Sequence, residues 1–160
     1  MAKRSSIEDE ERELIIALYP GLRRIAAVAG DVDIEPDDLV QEALVRTMSK
    51  RNLTELDNPL AYLRAAIVNL ASNQRRSLAR RRGAVARLFS TDSWVPSYPS
   101  EIDAILDLPP RQKALLYLVE VEGVPYDEAA GQLGLSVEAA RTMASRARKK
   151  ARLNLEATSG

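Results

Sequence analysis

Wherever the apolar residues of this chain form a pattern, they recur three and four positions apart, and that spacing commits the fold to packed helices. Leu60, Leu63, Ile67 and Leu70 keep it in one segment; Val137, Ala140, Ala144, Ala147 and Ala151 keep it, with smaller residues, in another. Aromatic side chains are few, one Trp, one Phe and five Tyr, so a core must be built from Leu, Ile, Val and Ala. The expected class is all-α. Two small helical domains, 7–83 and 101–155, are expected on either side of a flexible linker, 84–100. Each is small enough to be only marginally stable alone.

Residues 1–6 read as disordered, and a helical pattern runs from Ile7 to Val28, with Pro20-Gly21 expected to kink or break it. Pro36 suits the first turn of a second helix, reaching about Lys50, and Asp37 and Asp38 suit its positive end. A polar loop, 51–57, follows. Asn58-Pro59 is a start signal, an N-cap before a proline at the first helical position. That third helix is expected to reach Arg82 and to end at Gly83. The stretch STDSWVPSYPS has no periodicity, and the 17 residues of the linker would extend to at most about 55 Å. Beyond it, Ser100-Glu101-Ile102-Asp103 resembles a capping box opening a short helix to Leu106. Further helices are expected over 110–122, closed by Gly123, and from Tyr126 to Leu133, stopping at Gly134. A last helix, capped by Ser136, runs to Leu153.

The charges are sorted along the chain. Asn58 to Thr91 holds seven arginines and no acid, and Ala139 to Leu155 holds six bases and no acid. The formal net charge is nevertheless zero, with 23 bases and 23 acids, so the remainder is strongly acidic. Two basic segments on an acidic body imply two contacts with a polyanion and a separate surface for another partner. The chain has no His and no Cys, which removes the usual general base, the thiolate nucleophile and the common zinc ligands. No phosphate-binding glycine loop is present. An enzyme is therefore not expected, nor is a cofactor or metal. No apolar run approaches the roughly 18 residues of a membrane span, and the polar N-terminus does not read as a secretory signal. The expected location is the cytoplasm, without membrane insertion.

A short helix, a turn containing Gly134 and a longer basic helix have the sequence form of a helix-turn-helix. Glu138, Arg141, Thr142, Ser145, Arg148, Lys149 and Arg152 lie opposite the small-residue stripe, where the bases and hydroxyls can meet phosphates or base edges. An ordinary solvated helix with a basic end is the plainer alternative. On the 58–82 helix, one exposed side carries Tyr62, Asn69, Asn73, Arg76 and Arg80. An aromatic to stack on a base, amides to read its edge and guanidiniums to hold phosphates suit an opened strand. A polar face with an arginine-rich tail explains the same residues. Asp37, Asp38 and Glu42 could form a carboxylate metal site, serve as acids favoured at a helix N-terminus, or face a basic protein partner.

DDLVQEA (37–43), NPLAYLRAAIVNLASNQRR (58–76), LPPRQKALLYLVEVEGVPYDEAAGQLGLS (108–136) and SRARKKAR (145–152) together resemble the bacterial RNA polymerase sigma factors of the extracytoplasmic-function class. The resemblance covers about 10–82 and 102–153, in the order region 2, linker, region 4. It implies that Asp38, Leu39, Gln41 and Glu42 lie on the helix that docks on the polymerase clamp. It places Tyr62, Asn69, Asn73, Arg76 and Arg80 at the −10 element, and gives the 51–57 loop a part in holding a flipped base. Arg141, Thr142, Ser145, Arg146, Arg148 and Lys149 fall on the −35 recognition helix. The implied partners are core RNA polymerase, promoter DNA as duplex and as opened strand, and an anti-sigma factor. The implied function is promoter-specific transcription initiation. A sigma-like decoy that sequesters an anti-sigma factor and a stand-alone helix-turn-helix regulator remain as alternatives.

Overall fold

In the computed structural model, residues 2–88 and 108–158 are described. They are helical throughout, with no strand among them, as the spacing of the apolar residues requires. Six helices follow one another: α1 (Ala2–Ala29), α2 (Pro36–Met48), α3 (Pro59–Leu88), α4 (Pro110–Leu116), α5 (Tyr126–Gln132) and α6 (Val137–Thr158). A 3₁₀ turn (Leu53–Glu55) links α2 to α3, and α4 runs on into a π-helical turn (Tyr117–Val121). The capping box at Ser100, the short helix to Leu106 and most of the linker lie outside the described residues.

Two sequence expectations are corrected, and of the two outcomes expected at Pro20 the break does not occur. Residues 2–6 are helical, since α1 begins at Ala2. Pro20 lies inside α1 without ending it; it sits on the exposed side while Leu22, Ile25, Ala26 and Ala29 beyond it are buried, and that packing holds the second half of the helix in place. Gly83 does not stop α3, which continues to Leu88. A glycine inside a helix costs about 1 kcal/mol relative to alanine, a penalty that the arginine- and alanine-rich flanks tolerate.

The expected end signals elsewhere act as read. The Ala61 N–H donates to Asn58 Oδ1 at 3.0 Å, capping α3. Pro36 opens α2, with Asp37 and Asp38 in its first turn. Gly134, at φ +66°, turns the chain between α5 and α6, where the Leu135 N–H returns to the Ala130 carbonyl at 2.8 Å; a residue with a Cβ is strained at that angle. Ser136 Oγ then accepts from the Ala139 N–H at 3.1 Å and caps α6. Gly30 ends α1 for a different reason. A Cβ there would stand 2.8 Å from the Ala26 carbonyl oxygen and 3.0 Å from Leu39 Cδ1.

α1, α2 and α3 pack around Leu22, Ile25, Leu39, Val40, Leu53, Leu63 and Ile67, all fully buried. α6 rests on α4 and α5 through Ala140, Ala144 and Ala147, whose small side chains let the helices approach closely. The two groups of helices share one core. Ala114, Leu115 and Leu118 of the second half join the buried residues of α1 and α3 in a continuous cluster, and α4 packs against both α1 and α3.

Candidate functional site

The second basic segment forms a helix-turn-helix. α5 and the turn through Gly134 seat α6 on its alanine stripe, so Arg141, Thr142, Ser145, Arg146, Arg148 and Lys149 all emerge exposed. Thr142, Ser145 and Lys149 occupy the middle of the outward face at 100° per residue. Arg146 lies on the α4 flank, where Gln112, Ser136, Glu138, Thr142 and Met143 line an open groove of about 530 Å³. Arg141 and Arg148 lie on the α5 flank. The Arg141 guanidinium sits 5.8 Å from the Tyr126 ring centre. Arg148 donates to the Tyr126 hydroxyl at 2.7 Å and to the Glu120 carboxylate. Those two bonds push its guanidinium still further above the range in which it could lose a proton.

The first basic segment lies along α3. Tyr62 is 39 % exposed, and the Arg51 guanidinium stands over its ring at 5.3 Å from the centre. The 51–57 loop that carries Arg51 is pinned by buried Leu53, whose N–H donates to the Glu11 carboxylate at 2.7 Å. Asn69, Asn73, Arg76 and Arg80 are exposed along the helix. Both amides are engaged: Asn73 Oδ1 accepts from Arg76 at 2.9 Å, and Asn69 Oδ1 accepts from Arg111 of α4 at 3.2 Å.

On α2, Asp38 and Gln41 are exposed, while Glu42 is half-buried and paired with Arg46. Leu39 is fully buried and props the helix from beneath, so it is not itself on the surface these residues form. Val45 (68 % exposed) and Met48 share that outer side; of the alternatives Thr47 and Met48 for the inward face, Thr47 is the buried one. The available signal was helical spacing: Val45 lies four residues beyond Gln41 and three beyond Glu42, and Met48 three beyond Val45. Asp37 is tied down separately. The Tyr19 hydroxyl, donating to it at 2.6 Å, holds its carboxyl below the usual range; burial opposes this, and Arg23 adds to it. Among the described residues no cluster of acids is placed to hold a metal ion.

The contacts that join the halves escaped the sequence. Arg64 of α3, whose side chain is 6 % exposed, donates to both Glu122 oxygens at 3.0 and 2.7 Å and to Gln132 at 3.4 Å. Lys113 of α4 donates to the Gly30 carbonyl at 3.1 Å, a cation at the negative end of α1. Burial holds the Lys113 ammonium below the usual lysine range, Arg75 pushes it the same way, and Asp31 opposes. Arg75 reaches the Leu108 carbonyl. Burial raises the Tyr117 hydroxyl, as does its hydrogen bond with Glu122.

Comparison with known proteins gives a consistent result. Residues 102–150 match the family model for sigma-70, region 4. The ECF RNA polymerase sigma factor EcfG of Rhodopseudomonas palustris (strain TIE-1) is 31 % identical over 153 residues, covering 90 % of this chain and 84 % of that protein. The ECF RNA polymerase sigma factor SigJ of Mycobacterium tuberculosis is 34 % identical over 132 residues, covering 72 % of this chain and 41 % of that protein. The fold resembles that of the sigma factor RpoE from Bartonella quintana, solved in complex with the anti-sigma factor NepR, with a TM-score of 0.61 at 22 % identity over 91 % of this chain and 96 % of that one.

Proposed function

The chain belongs to the extracytoplasmic-function class of RNA polymerase sigma factors, a family of regulatory, non-catalytic proteins, and from that premise we propose that it binds core RNA polymerase in the cytoplasm and directs it to promoters by recognising a −10 and a −35 element. One observation carries this: a helix-turn-helix exposing Arg141, Thr142, Ser145, Arg146, Arg148 and Lys149 shares a chain with a helix exposing Tyr62, Asn69, Asn73, Arg76 and Arg80. The first set suits the edges and phosphates of a duplex groove. The second, with Arg51 beside Tyr62, suits a base taken out of the stack. The exposed side of α2, with Asp38, Gln41, Glu42 and Val45, offers the polymerase an acidic and apolar surface.

Reading both elements at once requires the halves to separate. α3 and α6 both pack on α4, and helices in contact lie about 8–10 Å apart, so the two DNA-facing helices pass within roughly 20 Å of each other. The elements are about 25 base pairs apart, roughly 85 Å at ~34 Å per turn. Asn69 must also be freed from Arg111 to meet a base. Release of the Arg64–Glu122 and Lys113–Gly30 contacts meets both requirements. Tethering both helices to one polymerase then gives each element a high local concentration of its reader.

The packed form also suits a sigma-like protein that only sequesters an anti-sigma factor, as the RpoE relative is seen bound to one. Selection of promoter fragments by core polymerase reconstituted with this chain separates the two. Recovery of fragments sharing two spaced motifs is expected of an initiation factor. Recovery no different from that of core alone contradicts it.

A further inference from the structure

Tyr126 stands outside the recognition helix, yet it touches two of that helix's arginines. It begins α5, half-buried, with the Arg141 guanidinium 5.8 Å from its ring centre and its hydroxyl accepting from Arg148 at 2.7 Å. Arg141 and Arg148 are two helical turns apart, about 10.5 Å along the axis. One aromatic side chain thus contacts both. Glu120, from the π-helical turn, accepts a further bond from Arg148. Arg148 and Glu120 are 43 % and 52 % exposed at the side chain, so the bond between them is open to exchange with a solvent-borne anion.

The flank matters. In a helix-turn-helix the first helix crosses the nucleic-acid backbone while the second enters the groove. Arg141 and Arg148 lie on the side of α6 that faces α5, which is the backbone side. Thr142 and Ser145, in the middle of the outward face and near the start of α6, are placed for base edges.

We propose that Tyr126 is a positioning residue which holds Arg141 and Arg148 as a pair of phosphate contacts, with the Glu120 carboxylate occupying Arg148 until a DNA phosphate replaces it. Both groups are oxyanions that accept the same N–H bonds, so the exchange needs no rearrangement of α6. Sequence discrimination at the −35 element then falls to Thr142 and Ser145. The inference rests on the reading of α6 as DNA-facing.

Phosphate contacts are indifferent to sequence, so a labelled duplex of arbitrary sequence is a sufficient probe. The α6 face is exposed in the packed form, so the full chain can be used. Fluorescence anisotropy over a series of salt concentrations gives the affinity and its salt slope. Arg148→Ala should lower the slope by about 1. Tyr126→Leu should lower it as well, although it removes no charge, and Tyr126→Phe should have a smaller effect because the ring under Arg141 is kept. Glu120→Gln should raise affinity about three- to tenfold for any duplex, and that gain should vanish in an Arg148→Ala background. Melting of each variant separates loss of fold from loss of positioning, since a purely structural role for Tyr126 would lower the melting temperature and leave the slope of the folded fraction unchanged. A wild-type slope in both Tyr126 variants overturns the proposal. So does a Glu120→Gln gain that persists without Arg148, because the acid would then act by general repulsion. If the unsubstituted chain shows no salt-dependent duplex binding, the assignment of α6 to DNA falls along with it.

Discussion

Arg64 and Glu122, 58 positions apart in the chain, meet in an ion pair that joins the two halves of the molecule, one guanidinium nitrogen donating to both carboxylate oxygens. The arginine side chain is 6 % exposed and the carboxylate 20 %, so neither charge can be fully rehydrated while the halves stay packed. A pair of this kind adds little net stability, but loss of one partner strands the other without water, at a cost of about 3–5 kcal/mol. Separation of the halves hydrates both charges at once. The pair therefore favours two states, fully packed or fully apart.

Glu122→Ala is expected to shift the chain toward the open form by about 3 kcal/mol, at the low end of that range because the carboxylate is partly exposed. The chain has no cysteine, so Ala27→Cys and Glu128→Cys introduce a clean pair for dyes. Energy transfer between them should fall in the Glu122→Ala chain and fall likewise when core polymerase is added to the wild type. Equal transfer in all three samples would mean that the pair does not govern packing.

Lys113 makes the packing depend on pH. Its ammonium is held below the usual range by burial when the halves are packed and returns to an ordinary value when they part. The open form thus binds more protons between those two values, and the packed form gains stability as pH rises through that interval. The burial that raises the Tyr117 hydroxyl works in the opposite sense, and only above about 10. Energy transfer should therefore increase as pH is raised toward the ordinary lysine range. Lys113→Met should flatten this dependence; an unchanged profile would assign it to another group.

Much of this was legible in the sequence, and the rest was not for identifiable reasons. Asn58, Ser136 and Gly134 mark helix ends through local chemistry, and their signals can be read without knowing the fold. The exposure of Tyr62, Asn73, Thr142 and Ser145 follows from helical periodicity alone. Pro20 and Gly83 misled because a break signal states a cost, and packing decides whether that cost is met. Arg64, Lys113 and Glu122 were invisible as joining residues. A charged side chain in a helix reads as solvated or as a polyanion contact, and only the tertiary arrangement reveals that its neighbours exclude water.

Asp38→Arg reverses a charge on the exposed side of α2 without touching the core. It should reduce co-purification with core polymerase at least tenfold while leaving the melting temperature within a few degrees. Leu39→Ala should do the reverse, costing about 2–5 kcal/mol of stability because the side chain is fully buried. Undiminished polymerase binding by the Asp38→Arg chain would move the docking surface away from α2.

Tyr62→Ala removes the ring that Arg51 covers. With base stacking worth about 1–3 kcal/mol, promoter opening should fall several-fold, read as weaker permanganate reactivity of −10 thymines, while binding to closed duplex is kept. Unaltered reactivity would remove Tyr62 from strand opening.

Run-off transcription tests the central claim most directly. Core polymerase is given this chain and a promoter fragment recovered by the selection. A transcript of defined length that requires the chain, and that is lost with Arg141→Ala and Arg148→Ala together, is the predicted result. Stable binding of the chain to core polymerase with no transcript from any selected fragment would contradict it.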